Sequence, residues 1–144
     1  MKQTILLLAL SLDLVACDKS ATPPSSGGIT TATNLTTTPK PSAELEKLKG
    51  KWERPDGGYI LEIRGVDAGG KLDADYFNPS PINVSRALAY RETGETRVFI
   101  ELQDVNYPGC TYKLAFDTKN DQLFGQYFQA SMQQTYDVAF ARLK

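Results

Sequence analysis

The carboxylates Asp73 and Asp75 are the first side chains whose spacing could support chemistry. Two residues apart on a β-strand, they lie on one face and could act together as an acid and a base. Leu72 and Tyr76 would occupy the opposite face of the same strand, so the pattern favours carboxylates that point into water. The chain has no histidine, and therefore lacks the usual general base for a serine nucleophile and a common zinc ligand. We therefore predict that the protein is not an enzyme and holds no metal and no cofactor.

Two arginines fall within predicted strands rather than in loops. Arg54 ends the first strand, and Arg86 has the same parity as Val84 in a largely apolar strand. A basic residue on an apolar strand face either pairs with a carboxylate, here Glu53 or Asp137, or contacts an anionic ligand. Both readings stay open at this point, and both arginines are kept as candidate binding residues.

The elements that must position these residues are β-strands. After a short helix over residues 42–48, for which Ser42 is a plausible N-cap, polar and apolar residues alternate between recurrent turn residues. The pattern predicts eight strands at residues 51–54, 59–66, 71–77, 82–91, 97–103, 111–117, 122–129 and 135–143. Short connections between consecutive strands predict an all-β fold, an eight-stranded antiparallel up-and-down barrel whose closure pairs every strand edge.

A short phrase occurs twice in these strands. L-D-A-D-Y-F-N starts at Leu72, and L-F-G-Q-Y-F-Q starts at Leu123. Each places a small residue between a leucine and a tyrosine on one face, as a tightly curved sheet requires. Tyr76 and Tyr127 are therefore predicted to face the barrel interior as core residues, with ligand stacking as the alternative. The predicted interior or ligand-contacting residues are Arg54, Tyr76, Arg86 and Tyr127.

The first predicted strand resembles the opening of a known barrel family. G-K-W, ending at Trp52 after a helical turn, resembles the G-x-W that opens lipocalins and the other calycins, and G-K-L-D-A-D-Y further on looks more like the avidins, with Ala74 in place of a glycine. The resemblance implies that Arg142 stacks on Trp52 and bonds carbonyls of the leading turn, closing the barrel base. Tyr76 matches a ligand-contacting tyrosine of avidins. Biotin binding is not implied, because Trp52 is the only tryptophan and Arg54 departs from the family's polar contact.

The chain begins with the features of an export signal. A charged start and a short apolar run precede L-V-A-C, residues Leu14 to Cys17, which resembles the bacterial lipobox. The resemblance implies a lipoprotein signal peptide over residues 1–16 and acylation of Cys17 with palmitate-like chains, which anchor a protein stably in a membrane. An ordinary secretory signal is the alternative. Residues 17–41, rich in Ser, Thr, Pro and Gly, are predicted to be a disordered tether, and residues 42–144 the barrel domain.

The implied location is the bacterial cell envelope, on the periplasmic side of the inner or the outer membrane. Asp18 resembles an inner-membrane retention signal, but the residue after it does not complete that signal. If Cys17 carries lipid, Cys110 has no partner in its own chain and is predicted to be a small buried thiol. The formal charge of −1 indicates no nucleic-acid partner.

Three predicted loops follow alternate strands and should therefore cluster at one end of the barrel. They cover residues 78–81, 104–108 and 130–134, and their contact residues are of the kind found at binding surfaces. The candidate partner-contacting residues are Asn78, Asn106, Tyr107, Met132 and Gln133. Together these features indicate a lipid-anchored binding module for a small ligand. The alternatives are an interaction protein, such as an inhibitor of an envelope hydrolase, and a structural envelope component.

Overall fold

The computed structural model describes residues 41–144, which form one short helix followed by an antiparallel β-sheet. The predicted signal peptide, the lipidation of Cys17 and almost all of the predicted tether lie outside the described residues. The elements are α1 (Ala43–Glu46), β1 (Gly50–Arg54), β2 (Tyr59–Val66), β3 (Leu72–Asn78), β4 (Ser80–Ile82), β5 (Val84–Glu92), β6 (Glu95–Asp104), β7 (Tyr107–Asp117), β8 (Gln122–Gln129) and β9 (Gln134–Arg142). The all-β prediction is confirmed.

The sheet curls into a nearly closed barrel. Its strand order is β4-β3-β2-β1-β9-β8-β7-β6-β5, and β1 pairs with β9 through Trp52 opposite Arg142 and Glu53 opposite Ala141. The two outermost strands of that order, β4 and β5, follow one another directly in the chain. The predicted bonding of the first and last strands is therefore confirmed, and the gap in the ladder lies between β3 and β5.

The barrel has nine strands rather than eight because a short strand, β4, forms largely within the predicted loop at residues 78–81. β4 takes only Ile82 from the strand predicted at residues 82–91, and the chain is interrupted at Asn83, so that β4 pairs with β3 whereas β5 pairs with β6. The Asn83 side chain donates to the carbonyl oxygen of Gln103 (2.9 Å), and its backbone N–H donates to the Asp104 carboxylate (3.0 Å). These bonds replace ladder bonds at one residue, which is how a short polar side chain interrupts a strand.

A β-bulge just after this break corrects the prediction for Arg86. The register of β5 against β6 shifts between Val84 and Arg86, after which Ala87 and Ala89 are the buried residues. One inserted residue moves every following side chain to the other face of the sheet. Arg86 is therefore exposed on the outer surface, and its predicted interior position is wrong.

The repeated phrase occupies the predicted positions in the core. Tyr76 is 1% exposed and Tyr127 is 9% exposed, with the two leucines of the phrase also buried. At the small position of the second copy, a Cβ on Gly125 would lie 2.1 Å from the carbonyl oxygen of Lys113. The absence of a side chain there lets β7 and β8 approach closely, as tight curvature requires.

The base of the barrel is closed as the calycin resemblance implied. The Arg142 guanidinium lies 4.0 Å from the centre of the Trp52 ring and donates to the carbonyl oxygens of Lys49 (2.5 Å) and Lys47 (2.7 Å). The Trp52 indole N–H donates to the carbonyl oxygen of Leu48, which is fully buried. The three residues between the short helix and β1 supply these carbonyls. The predicted cap of the helix is observed, since the Ser42 hydroxyl accepts from a backbone N–H of the first turn.

Candidate functional site

The end of the barrel opposite this base is called the mouth here, and the turns β1–β2, β3–β4, β6–β7 and β8–β9 surround it. A depression of about 360 Å³ opens there. Six of the seven tyrosines of the chain line it, the exception being Tyr90. The lining tyrosines are Tyr59, Tyr76, Tyr107, Tyr112, Tyr127 and Tyr136. They come from five different strands, because the mouth-proximal inward position of each of these strands carries a tyrosine.

Arg54 provides the buried positive charge of the mouth. It is the last residue of β1 and is only 8% exposed. Its guanidinium donates two bonds to the Asp56 carboxylate (2.9 and 2.5 Å), and it lies over the rings of Tyr59 (4.6 Å) and Tyr127 (5.8 Å). Asp56 follows in the β1–β2 turn, so the chain neutralises Arg54 locally, in a bidentate pair. The predicted interior position of Arg54 agrees with this geometry, and its anion partner is Asp56.

A hydrogen-bonded chain runs from Arg54 to the floor of the mouth. Arg54 Nη1 donates to the Tyr112 hydroxyl (3.1 Å), and the Tyr112 and Tyr76 hydroxyl oxygens lie 2.7 Å apart. An arginine donates only, and the two hydroxyls together carry two protons, of which their mutual bond uses one. One hydroxyl proton of the pair is therefore left for another acceptor, whichever tyrosine donates. The floor of the mouth thus offers a hydrogen-bond donor.

The tyrosine rings form a continuous aromatic lining. The rings of Tyr112 and Tyr127 are stacked with centroids 4.6 Å apart, and Tyr136 stacks on the outer side of Tyr127 at 6.4 Å. On the other side, Tyr59 stacks on Tyr76 at 6.4 Å. Rings fixed by packing lose little entropy when a flat ligand lies against them.

Burial keeps the tyrosines of the floor protonated. Desolvation raises the pKa of Tyr76, Tyr112 and Tyr127 above the ordinary value. Burial acts to lower the pKa of Arg54, but the hydrogen bonds of Asp56 and Tyr112 outweigh it and raise that pKa overall. The same guanidinium lowers the pKa of Asp56. Near neutral pH the floor therefore carries neutral hydroxyls beside one neutralised cation.

The rim of the mouth contains the five predicted contact residues. Asn78 in β3 donates to the Tyr107 hydroxyl, which joins the β3–β4 and β6–β7 turns, and Asn106 lies beside them in the lining. Met132 and Gln133 belong to the β8–β9 turn at the same end, where Gln133 Nε2 donates to the carbonyl oxygen of Ala130. The predicted clustering of the three loops at one end is confirmed, although the first and second are tight hairpin turns rather than extended loops.

The remaining candidates lie outside the mouth. Arg86 is on the outer surface with its guanidinium 5.6 Å from the centre of the Phe99 ring, and it contacts neither of its predicted carboxylate partners. Asp73 and Asp75 also point outward, as predicted, where both bond Arg64. Cys110 is buried, as predicted.

Four members of the site were not predicted from the sequence, namely Asp56, Tyr59, Tyr112 and Tyr136. A usable signal existed, because a tyrosine occurs near the mouth end of β2, β3, β7, β8 and β9. Only the strand pairing seen in the tertiary structure shows that these tyrosines lie together at one end of the barrel.

Comparisons with known proteins give no further guidance to this site. No family model, no curated protein and no solved structure matches this chain. Among residues 41–144 there is no helix long and apolar enough to cross a membrane. The same part of the chain contains no cluster of three or more potential metal ligands drawn from cysteine and acidic side chains.

Proposed function

We propose that this protein is a binding module that holds one small polar ligand in the tyrosine-lined mouth. The observation that supports this most strongly is the chain from Arg54 through Tyr112 to Tyr76, which leaves one hydroxyl proton of the tyrosine pair for another acceptor, at the floor of a depression with aromatic walls. Ligand sites typically combine such walls with a few fixed polar groups.

The chemistry of the mouth selects the class of ligand. Its volume of about 360 Å³ is near the lower end of the range for small-molecule sites, so the ligand is compact. The floor donates a hydrogen bond, and the stacked rings of Tyr127 and Tyr136 accept a flat surface. A ring compound with a carbonyl, ether or hydroxyl oxygen, such as a sugar or a cyclic amide, meets both requirements. The Arg54 charge is already paired with Asp56, so a strongly anionic ligand gains less.

Native mass spectrometry of the full-length protein purified from its own host tests this proposal. We expect a retained mass from a compact ligand in the wild type, and its loss in Tyr112→Phe. The matched control is Tyr90→Phe, since Tyr90 is the one tyrosine outside the mouth. Equal retention by both variants, or no retained mass at any protein concentration, would contradict the proposal.

The L-V-A-C sequence ending at Cys17 supports a second element of the proposal, a lipid anchor in the bacterial envelope. Labelled palmitate should enter the wild-type protein and Cys110→Ala, but not Cys17→Ala. Labelling of all three proteins alike would rule out an anchor at this position.

Exposed apolar residues at the rim favour a second candidate function, contact with a partner protein. Val105 is 92% exposed and Met132 is 56% exposed, both in turns at the mouth. Apolar side chains at loop tips are typical of contact surfaces. Val105→Asp combined with Met132→Asp should abolish recovery of an envelope partner, such as a hydrolase, while leaving small-ligand retention unchanged. Recovery of the same partner by wild type and variant would exclude the rim as its contact surface.

A further inference from the structure

The barrel wall has an opening between β3 and β5, away from the mouth. Toward the mouth Tyr76 pairs with Ile82, and toward the base Lys71 bridges to Leu88. Four residues of β3 lie between these two points on one side and five residues lie between them on the other. No ladder pairing joins the two runs. The extra residue on the second side corresponds to the bulge in β5. The opening is called the seam here and comprises residues 72–75 and 83–87.

Both sides of the seam are strand edges. Residues 72–75 pair with β2 only, and residues 84–87 pair with β6 only. Alternate residues of an edge strand direct their N–H and C=O groups away from the paired side, which here means into the seam. A groove of about 730 Å³ lies along it, and its apolar floor includes Leu72, Val84 and Ala87. Unpaired backbone above an apolar floor is what an added strand requires.

The carboxylates along the groove have hydrogen-bond or ion-pair partners, whereas two of its cations have no carboxylate partner in the part of the chain that the structure describes. Asp73 and Asp75 are both bonded by Arg64, and the Asp67 carboxylate accepts backbone N–H groups of its own turn. By contrast, no carboxylate within residues 41–144 lies within 4.0 Å of Lys71 or Arg86. The groove therefore presents two uncompensated cations, one on each side of the seam, next to acids whose charge is already compensated.

We propose that the seam is a docking site for a short, extended, acidic segment of a partner protein. The segment adds as a strand to the edge at residues 84–87, and an acidic side chain of the segment meets Arg86 and Lys71. Arg86 itself lines the groove, and its guanidinium stacks on Phe99 of the neighbouring strand β6. A small free anion would use only the two cations, whereas an extended peptide also satisfies the unpaired backbone groups. The seam is only four to five residues long, so the segment contributes only that many paired residues.

Two designed peptides test this proposal on the full-length protein. The first is an acetylated and amidated heptapeptide of alternating valine and glutamate, and the second has lysine in place of glutamate. We expect the acidic peptide to bind, to slow amide hydrogen exchange at residues 72–75 and 84–87, and to leave the mouth unchanged. Arg86→Gln should weaken its binding about tenfold, as loss of one charge-assisted bond predicts. Lys113→Gln, an exposed lysine outside the groove, is the matched control.

The other occupants of the groove are distinct outcomes of the same experiment. Equal binding of the two peptides, an undiminished affinity of Arg86→Gln, or protection confined to the mouth overturns the proposal. If an equal concentration of acetate displaces the peptide, the seam binds only a small anion and the proposal of a docked segment is wrong. Protection of the same amides by vesicles of anionic lipid, without any effect of the peptide, assigns the surface to the membrane instead.

Discussion

The hydroxyl oxygens of Tyr76 and Tyr112 lie 2.7 Å apart although the residues are 36 positions apart in the chain. Barrel closure brings them together from β3 and β7, which are not neighbours in the sheet. The Tyr112 hydroxyl takes part in a second hydrogen bond, because it also accepts from the buried Arg54. The pair therefore belongs both to the stability of the barrel and to the proposed binding chemistry.

Removal of the Tyr112 hydroxyl should cost more stability than removal of the Tyr76 hydroxyl. Tyr112→Phe leaves one donor of Arg54 without its acceptor, and hydrogen bonds to charged groups contribute about 1.5–3 kcal/mol. Tyr76→Phe breaks only a neutral bond, worth about 0.5–1.5 kcal/mol. Urea unfolding followed by the fluorescence of Trp52, the only tryptophan, measures both. Equal losses for the two variants would show that the bond to Arg54 adds nothing.

Replacement of Arg142 should open the base of the barrel. Arg142→Gln removes the cation stacked on Trp52 and the donors to two carbonyls of the leading turn. We expect a loss of about 2 kcal/mol in unfolding free energy together with a changed emission of Trp52. Arg64→Gln is the control, because it also removes one arginine but breaks exposed ion pairs, which contribute about 1 kcal/mol or less. A loss no larger than that of the control would refute the closure.

A methyl group at Gly125 should not fit between β7 and β8. In Gly125→Ala the new Cβ would lie 2.1 Å from the carbonyl oxygen of Lys113, so the two strands must separate. We expect a loss of at least about 2 kcal/mol, in the range of overpacked sites. Gly65→Ala provides the comparison, since the nearest atom to its Cβ is 3.9 Å away. Thermal unfolding that gives the same midpoint for both variants would contradict this reading of the repeated phrase.

The buried tyrosines should make the protein unstable in alkali. Tyrosines of an unfolded chain ionise near pH 10, whereas burial raises the pKa of Tyr76, Tyr112 and Tyr127 in the folded state. Their contribution to stability is therefore complete below about pH 10 and is lost progressively as the pH rises above it. Tyrosinate absorbance should therefore include a late cooperative phase that coincides with unfolding.

One variant tests the assignment of the late phase. Tyr112→Phe should reduce it, because Tyr112 is buried. A single phase near pH 10 that contains all seven tyrosines, without loss of structure, is the result that this prediction forbids.

Much of the fold was predictable because strand faces are a local property. Alternation of apolar residues places Leu61 and Ile63 inward, and the structure buries both. The cap at Ser42 is equally local, since it involves one side chain and the turn that follows it. Part of the mouth was predictable on the same basis, because Tyr76 and Tyr127 are inward by parity alone.

The position of Arg86 was not predictable in this way. Alternation along a strand predicts which face of the sheet a residue occupies only while the strand is regular. The bulge after Val84 moves the following residues, Arg86 among them, to the opposite face. That bulge, the break at Asn83 and the seam they leave depend on the register of bonds to β6, which the local pattern does not specify.

The amino-acid sequence by itself determined that the chain forms a curved antiparallel sheet, which residues of its regular strands face inward and which end of it carries the contact loops. These properties depend on residues within one strand or one turn. Only the tertiary structure decided that Arg54, Tyr112 and Tyr76 form one hydrogen-bonded chain and that β3 and β5 remain unpaired over a short stretch. The reason is that register between strands is set by partners distant in the chain, whose contacts form only when the barrel closes.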